Sequence, residues 1–209
     1  MYLLLPPSET KTTGGANTWH ADSGRFGESL TETRELVLSV LHDPATRPKG
    51  SRWDSDATKP AHRRYSGVVW QHLDPESLDP AAAAVAAQSV VVLSALGGLF
   101  SWDDPVPAYK LKMSATAALT GRFSRLWYPH LAGLLQGPVF DLTALEQTAA
   151  LQRPDRSDWV RIELVDPRGG RSGHRGKAAK GRLVRAMLTH GPDILDDYLD
   201  PDGYSVRLS

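Results

Sequence analysis

The chain has 209 residues, of which 41% are hydrophobic, enough to bury one sizeable core. It contains no cysteine, which excludes disulfides, thiolate catalysis and any cysteine-based zinc or iron–sulfur centre. Its 24 Lys and Arg balance 24 Asp and Glu, so a general polyanion-coating role is excluded and any nucleic-acid surface must be local.

The opening MYLLLPPSETK has no basic residue ahead of its apolar run, and the run stops after five residues. It reads as neither a signal peptide nor a membrane span, and a cytoplasmic chain with no membrane partner is expected. Tyr2–Leu5 instead suits a buried first strand, ended by Pro6 and Pro7. A Ser-, Thr- and Gly-rich loop follows to Gly27. The stretch from Leu30 to Leu41 is patterned as an amphipathic helix, with Glu28, Glu32 and Glu35 toward its N-terminal end. From Asp43 to Arg64 the chain is polar and basic and reads as a connector. Ser66–Trp70 is β-prone, and Asp79-Pro80 opens an Ala-rich helix through Gln88.

Val90–Leu93 is near-continuously apolar, as a buried parallel strand is, and runs into the small-residue turn Ser94-Ala95-Leu96-Gly97-Gly98. In open α/β sheets ligands bind at such strand C-termini. Pro105 to Met113 is a β or irregular segment, and Arg122 to Leu135 has a helical pattern that Pro129 kinks or splits. Pro138–Leu142 and Trp159–Val165 are two further strands, and Lys177–Leu188 is a last helix stopped by Gly191-Pro192. The alternation implies an α/β fold, a single compact domain over residues 1–209 with a mixed sheet flanked by helices.

Three segments carry candidate chemistry. The loop after the first strand offers Ser8, Glu9, Thr10 and Lys11, hydroxyls and an amine for an anion and a carboxylate or amine for a base. It lacks the glycine spacing of a P-loop. In PAYKLKM, strand alternation places Lys110 and Lys112 on one face and Tyr109 on the other. That is either an edge strand guarded by lysines or a pair of cations for phosphate beside an aromatic. The third segment, Arg168–Arg185, packs seven Lys and Arg and one His with no acidic residue, which points to an anionic partner. Within it Gly181 is a poor mid-helix residue, suggesting close approach of a backbone, a ligand or a phosphate. The seven histidines form no metal-ligand spacing near carboxylates, so neither metal nor cofactor is expected.

These segments, in this order, resemble the YaaA family of peroxide-stress proteins, in the spelling of its actinobacterial branch. The likeness rests on LLLPPSETK, YSGVVWQHLD, VVLSALGGLF with PAYKLKM, the Trp127 segment, PVFDL with Glu146, and GHRGKAAKGRLVR. It implies a YaaA-like fold with a positively charged cleft and a helix-hairpin-helix-like element that accompany DNA binding. It also implies a role in limiting iron-dependent oxidative damage. The positions that carry the family's motifs are Pro7, Ser8, Lys11, Tyr65, Gly67 and Ser94, then Gly98, Tyr109, Lys110, Met113, Lys177, Lys180 and Gly181. The chain departs from the family in being short before Tyr65, in having Ser114-Ala115-Thr116 where a glycine is common, and in its glycine-rich approach to the basic helix.

Two functions from different classes are open to such a chain. In one, DNA is held at its phosphates by Lys110, Lys112, Arg171, Arg175, Lys177, Lys180 and Arg182, with His174 and Gly181 beside them. Tyr109 and Trp70 are then candidates to stack on an exposed base. In the other, the same cleft works on a nucleotide, nucleobase or other small anionic metabolite. Lys177 or Lys11 is then base or nucleophile, Ser8 and Tyr109 complete the catalytic set, and Ser94 and Gly98 shape the pocket.

Overall fold

The computed structural model describes residues 1–151, 153–170, 172–173 and 175–209. Arg171 and His174, two of the candidate anion-binding residues, lie outside the described residues.

The first half contains β1 (Tyr2–Leu5), β2 (Ala16–Thr18), α1 (Gly27–His42), β3 (Arg52–Pro60), α2 (Ala61–Arg64) and α3 (Val68–Leu73). Next come α4 (Pro80–Ser89), β4 (Val90–Ser94), β5 (Gly98–Ser101), β6 (Pro105–Lys110), β7 (Thr116–Ala117), β8 (Gly121–Arg122) and α5 (Phe123–Trp127). The chain closes with β9 (Val139–Asp141), α6 (Leu145–Thr148), β10 (Trp159–Val165), α7 (Gly176–His190) and β11 (Ser205–Leu208). The expected mixed sheet with helices is present: six strands in the order β11-β10-β9-β1-β4-β5. Its four central strands are parallel, with β1 between β9 and β4, and antiparallel β5 and β11 close the two edges. Leu3, Leu4 and Leu5 of β1 and Val90 to Leu93 of β4 are fully buried, which explains their unbroken apolar spelling.

The segment expected as a connector holds the largest surprise. Residues 52–60 form β3, the middle strand of an antiparallel sheet ordered β2-β3-β6. The sequence hid it because β3 is mostly polar and partly exposed, and its register with β6 shifts twice, so no clean alternation survives. The β-prone Ser66–Trp70 is also corrected: Val68–Leu73 is helical, and tertiary packing overrides the propensity of its valines. Trp70 is a core residue, stacked on Tyr65 at 5.3 Å and tilted against Trp102 at 6.2 Å, so it has no face free for a base. Pro129 does split the helix expected over Arg122–Leu135: α5 ends at Trp127 and only a 3-10 turn, Ala132–Leu134, follows.

Helix α7 lies against α3, and Gly181 is where they meet. A Cβ at Gly181 would stand 2.3 Å from the Val69 carbonyl oxygen and 2.8 Å from the His72 Cβ. Close backbone approach, one of the explanations open for this mid-helix glycine, therefore accounts for it. The same contact fixes α3, whose N-cap Gly67 sits on Ser8, so helix packing positions the first loop. Gly181→Val is expected to cost about 2–4 kcal/mol in urea unfolding, by forcing the two helices apart.

Candidate functional site

The C-terminal ends of β1 and β4 open onto a small cleft of about 70 Å³. Its walls come from the first loop (Ser8, Glu9, Lys11), from Tyr109 to Met113 at and after the end of β6, and from Glu146 and Gln147 at α6. Three segments singled out in the sequence thus meet here: SETK, the turn after β4 and PAYKLKM. The position agrees with the rule for open α/β sheets.

The loop is held from inside. Arg64 is fully buried, and its guanidinium donates to the carbonyl oxygens of Gly14 (3.0 Å), Ala57 (2.6 Å), Val106 (2.9 Å) and Thr12. It thereby ties the first loop, β3 and β6 together. Ser8 is buried and its hydroxyl is fully used by the backbone. It accepts from the Gly67 N–H at 3.0 Å and the Ser66 N–H at 3.3 Å, and donates to the Thr10 carbonyl. Lys11 also makes an antiparallel bridge to Tyr65.

These contacts leave Lys11 in an unusual environment. Its Nζ donates to the Ser8 carbonyl at 2.9 Å and lies 4.0 Å from the Tyr109 ring centroid and 5.4 Å from that of Tyr65. Burial lowers its pKa from 10.5 to about 7; Asp54 opposes that shift and the Arg64 charge adds to it. An amine that exchanges its proton near neutrality can act as base or nucleophile.

Behind Lys11 runs a buried hydroxyl chain. Ser94 Oγ accepts from the N–H groups of Leu96 (3.1 Å) and Gly97 (3.2 Å), so its own proton faces Tyr109 Oη at 2.6 Å. Tyr109 Oη and Tyr65 Oη share a hydrogen bond at 3.2 Å. Burial raises the pKa of both phenols, which keeps them protonated at neutral pH. Gly98, at φ +67°, lies in the core, where a Cβ would collide with Trp127 and Leu131. At the rim, exposed Lys112 pairs with Glu9 at 3.5 Å, while Glu146 accepts from Ser114 Oγ at 2.6 Å and Ser114 N at 3.3 Å.

The basic run divides differently. No residue of α7 is among the described lining of the cleft. Lys180 donates to the Leu142 carbonyl and sits near buried Asp141, which accepts from Arg161 at 3.1 Å and from Thr143. Burial lowers the Lys180 pKa to about 8, against the pull of Asp141. Arg182 is clamped by Asp200 at 2.7 and 2.8 Å and by Asp202. Arg185 donates to the carbonyls of Leu73, Asp74 and Ser77, tying α7 to the end of α3. Arg175 and Lys177 are exposed, and Lys110 is half-buried. The cleft therefore unites Ser8, Lys11, Tyr109, Lys110 and Lys112, with Ser94 behind them, while Lys177, Lys180 and Arg182 stand elsewhere.

Arg64 and the Asp141–Arg161 pair escape sequence reasoning, because nothing in RRY or WVRIELV separates a buried arginine from an exposed one. Glu146 was legible only through its place after PVFDL. Among the described residues no group of three or more His, Asp and Glu is placed to hold a metal ion, and no helix is long and apolar enough to cross a membrane.

A parallel-centred α/β sheet with a lysine-bearing cleft at its strand C-termini defines the class. The chain belongs to the YaaA peroxide-stress family: the model described as "Peroxide stress protein YaaA" matches residues 1–207. A UPF0246 protein of Streptomyces coelicolor is 30% identical over an alignment covering 99% of this chain and 92% of that relative. One from Corynebacterium efficiens is 32% identical, covering 90% and 85%, and one from a Ruegeria species is 25% identical, covering 88% and 76%. The Streptomyces alignment runs to 240 positions against the 209 residues here, so that relative carries insertions this chain lacks.

Lys11 makes stability depend on pH with a definite sign. Its proton leaves near pH 7 in the folded state and near 10.5 in the unfolded state, so between these values the unfolded chain binds more protons and stability rises with pH. In urea unfolding across pH 6–10, the wild type should gain on Lys11→Met as pH rises above about 7, with a flat difference below it.

Proposed function

We propose that this member of the peroxide-stress family binds a small anionic metabolite in the cleft and acts on it through Lys11 as base or nucleophile. The observation that carries the reading is the buried Lys11 amine, pinned by the Ser8 carbonyl and two tyrosine rings and titrating near neutrality. Lys110 and Lys112 supply charge for the anion at the same cleft. Ser8 shapes the loop, and Tyr109 and Ser94 form a protonated, oriented wall. The cleft is small, which favours a compact metabolite over a whole dinucleotide.

A thermal-shift screen of small carboxylates, phosphates, nucleobases and nucleotides tests this reading. At least one should raise the melting temperature of the wild type, with the shift reduced in Lys112→Ala and lost in Lys11→Met. No ligand-dependent shift, or one unchanged by both substitutions, would sink it.

The exposure of Lys112, Arg175 and Lys177 favours a second reading: the chain binds distorted or damaged DNA in the cytoplasm and thereby limits iron-dependent damage. That reading takes with it the positively charged cleft and helix-hairpin-helix-like element implied by the family likeness. Since phosphate contacts release counterions, affinity should fall steeply with salt, and Arg175→Ala/Lys177→Ala should reduce the slope of log K against log salt by about 2. An unchanged slope removes these residues from any DNA surface.

A further inference from the structure

We propose that Lys11 forms an imine with the carbonyl carbon of a small anionic carbonyl compound, a 2-oxo acid or a phosphorylated ketone or aldehyde. This rests on the reading of the cleft as a small-anion site and names the substrate class and the covalent step.

Four features of the cleft support it. The Lys11 backbone is fixed by its bridge to Tyr65, and its amine is held by the Ser8 carbonyl at 2.9 Å. A nucleophile gains from such fixed placement. Among the described residues no carboxylate forms an ion pair with Nζ; Asp54 and Glu9 favour its protonated form from farther away, and burial outweighs them. The Tyr109 face at 4.0 Å and the Tyr65 face at 5.4 Å then favour the protonated, cationic form of the imine. Lys110 and Lys112, across the same cleft, are placed for the carboxylate or phosphate of the substrate.

The step balances without an oxidant or reductant. The Nζ lone pair attacks the carbonyl carbon, a C–N bond forms, and the carbonyl oxygen takes up the proton released from nitrogen. The nitrogen lone pair then expels that hydroxyl as water, with one further proton supplied from the cleft. Glu9 and Glu146 are the carboxyl groups lining the cleft that can relay it. The net change is amine, carbonyl compound and a proton giving iminium and water.

The test uses the full chain with pyruvate or dihydroxyacetone phosphate, near neutral pH, in the presence of cyanoborohydride, followed by peptide mapping. A reduced adduct is expected on Lys11 in at least about tenfold excess over the exposed Lys49 and Lys177. The preferred probe tells a carboxylate substrate from a phosphate one. Lys110→Ala/Lys112→Ala should lower Lys11 labelling by both anions while leaving its labelling by acetaldehyde unchanged, which separates lost anion binding from misfolding. Lys11 labelled no more than Lys49 by either anion would overturn the proposal. If the thermal-shift response to small anions persists in that case, only the imine falls; if it is also absent, the small-anion reading of the cleft falls with it.

Discussion

Arg64 is the contact on which both the architecture and the chemistry of the cleft depend. Its guanidinium is satisfied by four carbonyl oxygens from three segments that are remote in sequence. A buried arginine without these acceptors would carry a desolvation penalty of several kcal/mol, so the loop, β3 and β6 must arrive together. The same charge bears on Lys11, adding to the burial that drives its amine toward neutrality. One residue therefore shapes the first loop and acts on the Lys11 amine that the loop carries. Arg34 plays a parallel structural part, donating to the carbonyls of Ala21, Ser23, Gly97 and Leu99, and so holds α1 to the turn after β4.

The second constraint is steric. Gly181 lets α7 close on α3, and Gly67 lets α3 close on Ser8. The chain of contacts runs from a helix near the C-terminus to the loop after the first strand. It explains why a basic helix that lines no part of the cleft still matters to it. The charges of that helix are largely engaged in construction: Arg182 on Asp200, Arg185 on the end of α3, Lys180 on the end of β9. Positive charge concentrated in sequence is thus dispersed by the fold into separate structural tasks, with Arg175 and Lys177 left facing solvent.

Much of the parallel sheet was legible because its strands are spelled either as unbroken apolar runs, LLL and VVVL, or with the alternation of WVRIELV. SETK and the turn at Ser94 each follow such a strand, where open α/β sheets bind ligands, but the basic helix expected as a wall of the cleft does not line it. Less legible was β3, whose polar spelling and shifting register erase the signal of a strand. The α3 helix was masked by valines that favour strands in isolation, while the backbone of Val69 packs here against Gly181 of α7.

By itself the sequence determined the central strands, the family and which residues could carry chemistry. Each rests on local spelling: apolar runs, strand-end turns and ordered motifs. Only the tertiary structure decided which of those residues share a site, and it selected Lys11 over the richer charge of the last helix. The reason is physical. Burial, nearby charge and aromatic faces surround the Lys11 amine through Arg64, Tyr65 and Tyr109, and these neighbours come together only when β3, β6 and the first loop pack around one guanidinium.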